Sequence, residues 1–373
     1  MTPQPDEIEG PRSCGPYELA GVLDLANLVL RTLNTPEGRP ARWPSIGFDY
    51  PHVFHPGNLE NIRVFVRRGR VVCSVGICPG IVRTPRGDLS VGGICALATH
   101  PEYRGRGLGT RIMEDAHRKM RADGHHIGLL STLIQDFYRK LGWESGGRQR
   151  VFMFDRGNIG LLPEPEGLEV TEDWRPRIEE LNRLRLREPV TSIRDSDRFR
   201  LLMERRTNRV FVGAREGSVV AYAGISGATV QEYAGAREEV ACLLRAVFDR
   251  LDDPRVSTSQ RPPGQRATIE MRILAPELGE GLPGLLMEMG VPHSLGYLGM
   301  IRILDPERLF RALQIREIQI VPSDGRWRLS YRGAACTLDE RELVKMVFGP
   351  ERLTRFAADL LPMLFYQWAS DRV

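Results

Sequence analysis

Three glycines alternate with other residues in the hexamer Arg104-Gly105-Arg106-Gly107-Leu108-Gly109. Glycine lets a backbone turn sharply enough for successive N–H groups to converge on one anion. A helix beginning near Leu108 would add the positive end of its dipole and its unpaired first amides. Arg104 and Arg106 bring mobile positive charge to the same point. This pattern suits the seating of a phosphate or pyrophosphate; a plain tight turn is the alternative. The glycines miss the dinucleotide spacing GxGxxG, and no Gly-Lys-Ser/Thr follows, which excludes a Walker-type loop. Further on, Tyr138 lies in Phe137-Tyr138-Arg139-Lys140-Leu141-Gly142-Trp143. A phenol can pass a proton where its surroundings favour the transfer. Core packing is the other role open to such an aromatic.

The elements that must hold these residues follow from periodicity. Leu108, Ile112, Met113, Ala116 and Met120 recur at helical spacing over 108–122, and Asp123-Gly124 ends the run. An amphipathic helix is expected over 18–33, strands over 62–66, 71–77 and 89–99, a buried strand over 127–131, a short helix over 136–141 and a strand over 150–154. That is an α/β unit with antiparallel strands leading into the glycine turn. The Gly- and Pro-rich stretch 158–167 reads as a linker. A second unit of similar grammar follows, with helices over 177–187, 196–205 and 236–251 and strands over 209–214 and 218–226. Its junction, Gln231-Glu232-Tyr233-Ala234-Gly235-Ala236, has no glycine turn. A last unit carries helices over 306–313, 339–348 and 351–361 and strands over 317–321 and 327–331. We expect domains over 1–157, 158–298 and 299–373.

Composition narrows the classes. Lys and Arg number 52 against 48 Asp and Glu, and the charges are interleaved, so nucleic acid is not an expected partner. No apolar run has the length of a membrane helix, and the polar N-terminus does not read as a signal peptide, so the expected location is cytoplasmic. The six cysteines form no CxxC pair and no cluster at zinc spacing; reduced, buried thiols and no metal are expected. His125 and His126 read as a solvated turn.

The run Leu97-Ala98-Thr99-His100-Pro101-Glu102-Tyr103-Arg104-Gly105-Arg106-Gly107-Leu108-Gly109-Thr110 resembles the acyl-CoA signature R/Q-x-x-G-x-G/A of the GNAT superfamily of acetyltransferases. The Phe137–Trp143 segment resembles its second signature, F-Y-x-x-x-G-F/W. The resemblance implies acetyl-CoA as co-substrate, with the amides from Arg104 to Thr110 on the pyrophosphate. The strand around Leu97, Ala98 and Thr99 would splay from its neighbour and pair with the pantetheine amides. Tyr138 would be general acid for the thiolate after amine attack through a tetrahedral intermediate.

Over its whole length the chain is similar to Eis-type (enhanced intracellular survival) acetyltransferases, on the degenerate second unit and the run Gly299-Met300-Ile301-Arg302-Ile303-Leu304-Asp305. That similarity implies tandem GNAT domains, the second without a CoA site, and a C-terminal domain like sterol carrier proteins. It also implies a homo-oligomer, commonly a hexamer, and a primary amine as acceptor: an aminoglycoside, polyamine or lysine side chain. The C-terminal carboxylate, here that of Val373, would serve as general base once desolvation raises its pKa. His100 or a water chain are the other bases open to this sequence. Trp43, Phe48 and Asp49, in the loop that also holds Tyr50, are the expected acceptor contacts. The wide acidic pocket of such enzymes finds no matching cluster of acids here. Leu133 stands where these enzymes often have a Ser. A non-catalytic acyl-CoA-binding regulator is the alternative function.

Overall fold

Val71, Val72, Val75 and Ile77 put β-branched side chains on both faces of one strand, and both faces are buried. In this computed structural model, which describes residues 7–32, 46–205, 208–252, 270–351 and 355–372, that strand anchors a large mixed sheet. The first part of the chain supplies strands β1 (Glu9–Ser13), β2 (Ile62–Arg67), β3 (Arg70–Thr84), β4 (Gly87–Thr99), β5 (Ile127–Leu130) and β6 (Glu144–Phe154). Helices α1 (Leu19–Asn27), α2 (Ile46–Asp49), α3 (Leu108–Ala122) and α4 (Gln135–Arg139) lie between them. The buried face of α3, Leu108, Ile112, Met113, Ala116 and Met120, packs on Phe65, Val75 and Ile77. On the opposite face, Val22, Leu25, Ala26 and Val29 pack against Val64, Val66 and Cys95. Each such side chain contributes about 1.5–3 kcal/mol by leaving water.

The middle of the chain adds β7 (Glu169–Thr171), α5 (Ile178–Arg185), β8 (Thr191–Ile193), α6 (Ser196–Met203), β9 (Asn208–Arg215), β10 (Ser218–Ser226) and β11 (Thr229–Gly235). These are followed by α7 (Arg237–Asp252), β12 (Met271–Pro276), α8 (Gly281–Glu288) and β13 (His293–Ile303). The sheet runs β1-β2-β3-β4-β5-β13-β6-β12-β11-β10-β9-β7, with β8 beside β3. Its parallel pairs are β4 with β5 and β11 with β12. The late strand β13 lies between two early ones: Met300 pairs with Leu130 on one side and with Ser145 on the other. The boundary expected at position 298 falls inside this strand. A separate sheet of β14 (Gln319–Ser323), β15 (Arg326–Tyr331) and β16 (Ala334–Leu338) follows α9 (Pro306–Ala312) and precedes α10 (Glu340–Phe348). Asp339 and Glu342 form a reciprocal capping box at the start of α10.

Several sequence expectations change. The first helix is α-helical only to Asn27, and Leu28–Thr32 is a π-helical turn. β3 continues to Thr84, well beyond the expected end, because β4 and β8 pair with it there. The Gln231–Ala236 junction is largely strand β11, and β12 and β13 were not expected. β12 is short and β13 is interrupted by Gly296 and Gly299, so their alternation is weak and neighbouring strands supply the order. The closing helix expected over 351–361 does not form: among the described residues of that stretch the chain bends and turns.

Candidate functional site

β4 leads through a short 3-10 turn, Pro101–Tyr103, into the glycine turn. Gly105 and Gly107 take φ of 74° and 72°, where a Cβ would be strained, and the space beyond each is open. Gly107 is the N-cap of α3 and offers no side chain to its amides, so the first N–H groups of the helix point outward without an internal acceptor. Arg104 donates to the Thr99 carbonyl at 3.4 Å, and the Arg106 guanidinium lies 5.3 Å from the Tyr103 ring centroid. Gly109 faces Phe137, 3.6 Å from where a Cβ would be. Amides, helix dipole and two arginines thus gather at one exposed turn, an arrangement that fits a pyrophosphate.

Above the turn, β4 and β5 diverge. They pair in parallel over Val91–Gly93 and part beyond that point. Ala96 adopts a left-handed φ of 50° where the β3–β4 register shifts between Ser74 and Gly76. This is a β-bulge, a device that bends a strand away from its partner and recurs beside functional sites. Ala98 and Thr99 remain paired to Ser74 and Cys73 on the β3 side. Among the described residues no strand pairs Ile94–Thr99 on the other side. The opening is a cleft of about 390 Å³, lined by Leu97 and Ile94 from β4, Leu130–Ile134 after β5, and Tyr138.

Tyr138 is buried, edge-on to Phe137 at 5.0 Å and to Trp143 at 6.3 Å between centroids. Burial pushes its phenol pKa up to about 12, so it stays protonated. Trp143 packs directly over Gly128, where no Cβ fits, and donates to His117 Nε2 at 3.0 Å. Gly142 takes φ of 79° against the Arg302–Glu340 pair. The second motif therefore ties α4 to β5 and β13 as well as presenting Tyr138.

A second cleft of about 390 Å³ adjoins the first, sharing Arg31, Tyr50 and Ser131 with it. Its far wall is Arg205, Asn208 and Gln231 from the middle of the chain, and Ala369 and Arg372 from the tail. Beneath it, Arg194 is fully buried between Glu232 and Asp371, donating to Asp371 Oδ1 at 2.8 Å and to Glu232 Oε2 at 2.6 Å. Burial disfavours the Asp371 carboxylate, but Arg194 outweighs it and holds the pKa at about 2. Trp368 donates to the Val190 carbonyl at 3.2 Å. The tail is thus held against the sheet, with Arg372 at the cleft.

Of the expected acceptor contacts, Asp49 lines this cleft in an ion pair with Arg31. Phe48 does not reach it: its side chain is 75% exposed. Trp43 and Val373 lie outside the described residues. His100 is buried, with Arg70 Nη2 at 2.9 Å from its Nε2, and lines a different hollow beside α1, away from Tyr138. His125 and His126 are not a solvated turn. Ser90 engages both, through its hydroxyl at 2.8 Å and its amide at 2.9 Å, and burial lowers both pKa values. No group of metal-ligating side chains is present among the described residues. The cysteines are free thiols, all buried except the half-buried Cys336. Arg31, Ala96, Ser131, Arg205 and Arg372 carried no local signal in the sequence; the fold alone assembles them.

A family model described as an acetyltransferase (GNAT) domain matches residues 16–146. No curated protein matches the chain. Similar solved structures include a protein from Enterococcus faecalis described as a probable N-acyltransferase, at 15% identity and TM-score 0.65, over 95% of this chain and 96% of that one. A GCN5-related N-acetyltransferase from Kribbella flavida is 17% identical with TM-score 0.58, over 91% and 88%. Eis1 from Mycobacterium abscessus is 12% identical with TM-score 0.55, over 90% and 85%. At these identities the likeness establishes a shared fold. No described helix is long and apolar enough to cross a membrane. With a GNAT domain over residues 16–146 that contains the glycine turn, the splayed strands and Tyr138, the protein is an acyl-CoA-dependent N-acetyltransferase.

Proposed function

We propose that this enzyme moves an acetyl group from acetyl-CoA to a primary amine by direct attack, with the parting of β4 and β5 beside Tyr138 as the observation that carries the reading. The amides from Arg104 to Thr110 hold the pyrophosphate, and Leu97, Ala98 and Thr99 offer backbone groups to the pantetheine. The amine nitrogen bonds to the thioester carbonyl carbon, and the carbon–sulfur bond breaks. The Tyr138 phenol gives its proton to the thiolate. The ammonium must first lose a proton, and the base we assign is the carboxylate of Val373. What supports that assignment is its neighbour Arg372, which lines the acceptor-side cleft.

The same reading extends to an Eis-type plan. In it, residues 1–157 form the catalytic GNAT domain, 158–298 a GNAT-like domain without a CoA site, and 299–373 a sterol-carrier-like domain, in a homo-oligomer of cytoplasmic location. The fold shared over most of both chains with Eis1 supports it. Thiol release from acetyl-CoA in the presence of primary amines tests the activity. Turnover that depends on an added amine is expected. Acetyl-CoA binding without thiol release, for every amine tried, would overturn it in favour of a binding protein.

A further inference from the structure

Among the described residues the acceptor-side cleft is walled by three guanidiniums, those of Arg31, Arg205 and Arg372, and one carboxylate, that of Asp49. Asp49 pairs with Arg31 within the wall. The direct contacts of Arg205 are neutral instead, although the buried Asp371 carboxylate and Arg194 also act on its charge. One of its Nη atoms lies 3.0 and 3.3 Å from the two ring nitrogens of His52, and its guanidinium is 5.9 Å from the Tyr50 ring centroid. Burial, and then the charge of Arg205, depress the His52 pKa to about 2, so this imidazole adds no charge. Arg372 donates from Nε to the Gln367 carbonyl at 2.8 Å and stacks 5.1 Å from the Tyr366 centroid. One of its Nη atoms is buried and has no hydrogen-bond partner. Among the described residues neither Arg205 nor Arg372 forms an ion pair with a carboxylate. Burial works against the charge of both, the situation in which a guanidinium gains most from an incoming anion.

We propose that the acceptor is a small amine bearing an oxyanion, carboxylate or phosphate, at the end remote from its nucleophilic nitrogen, and that Arg205 and Arg372 grip that oxyanion. The proposal rests on the N-acetyl transfer reading above. The two clefts meet at Arg31, Tyr50 and Ser131. A molecule lying across both offers its nitrogen on the Tyr138 side and its far end to the guanidinium wall. Guanidiniums match carboxylate and phosphate geometry with paired N–H donors. A polyamine or aminoglycoside would instead set ammonium groups against this wall, and like charges repel strongly at partly buried sites. The sign of the wall is thus opposite to that of an acidic pocket built for polycations.

The test measures amine-dependent thiol release from acetyl-CoA by the full chain. The probes are 4-aminobutyrate and 2-aminoethyl phosphate, their uncharged counterparts 4-aminobutanamide and ethanolamine, and spermidine. An anionic amine is expected to exceed its uncharged counterpart at least ten-fold in kcat/KM, chiefly through KM, with spermidine poorest. The better of the two acids separates a carboxylate from a phosphate acceptor. Arg205→Met should narrow the preference for acid over amide at least five-fold. Gln231→Glu removes no contact of Arg205 and adds a carboxylate to the wall, so it should shift the preference toward spermidine. Equal KM for acid and amide, the result if the guanidiniums serve only the chain's own end, overturns the proposal while transfer itself stands. So does a preference for spermidine. Absence of thiol release with every amine, while acetyl-CoA still binds, removes the transfer reading and this proposal with it.

Discussion

Tyr138 combines two properties that a proton donor needs. Its ring is fixed edge-on between Phe137 and Trp143, and the residue lines the cleft left by the parted strands. Tyr138→Phe keeps the packing and removes only the oxygen. We expect turnover to fall by about 10²–10⁴-fold, the usual worth of general acid catalysis, while acetyl-CoA binding measured by calorimetry is retained. The pH dependence follows from the direction of the shift. Burial raises the phenol pKa to about 12, so the donor form persists up to about one unit below that value and is lost only above it. A wild-type kcat profile should therefore show no alkaline decline assignable to Tyr138 between pH 7 and about 10. A decline in that range that disappears in Tyr138→Phe would give the phenol a lower pKa than its burial implies.

At the scale of elements, the pyrophosphate site we propose depends on a helix that starts without a side-chain cap. A Ser or Asp at Gly107 would satisfy the first amides of α3 internally and turn them from a ligand. Glycine leaves them open and accepts the left-handed φ of 72°. Gly107→Ala meets no neighbouring atom, so its cost is conformational, about 1–2 kcal/mol. We expect the KM for acetyl-CoA to rise roughly ten-fold as the turn relaxes, which corresponds to about 1.4 kcal/mol, with a smaller effect on kcat. An unchanged KM would mean that the turn amides do not hold the co-substrate. The bulge at Ala96 acts at the same scale: it lets β4 stay paired to β3 while leaving β5.

Across the whole molecule, distant segments close the site and the sheet. Asp371 and Glu232 enclose the buried Arg194 guanidinium, holding the tail beside the cleft. Arg194 keeps Glu232 when Asp371 is neutralised but loses charge-assisted hydrogen bonds in a buried place, so Asp371→Asn should destabilise the protein by about 1.5–3 kcal/mol. The folded pKa of Asp371 is depressed to about 2, below the ordinary carboxylate value. Its contribution is therefore present above about pH 4 and fades as pH falls toward 2. Thermal melts over that range should steepen with acid in the wild type more than in Asp371→Asn. The strand β13 fills the gap between β5 and β6. A chain of residues 1–157 alone should thus leave one edge of β5 and both edges of β6 unpaired, and be insoluble or unfolded by circular dichroism. A soluble, cooperatively melting fragment would show that β13 is dispensable to the first unit.

The amphipathic period of 108–122 and the residues around it were enough to fix α3, its glycine turn and the strand leading into it. These are short-range features, set by helical spacing, by glycine's access to positive φ and by a proline that stops a strand. Tyr138 was singled out by the resemblance of the Phe137–Trp143 segment to a family signature, not by spacing or propensity. The acceptor side was not legible in the same way. Arg205, Gln231 and Arg372 come from separate parts of the chain, and nothing local distinguishes them from surface residues. Phe48, singled out as an aromatic in a long loop, faces solvent instead. The place of β13 was equally hidden, since a strand's partners depend on which edges remain unpaired after the rest of the sheet has formed. Local propensity thus determined the turn and the helix after it; only long-range pairing and the burial of Arg194 brought the cationic wall and the tail to the cleft beside Tyr138.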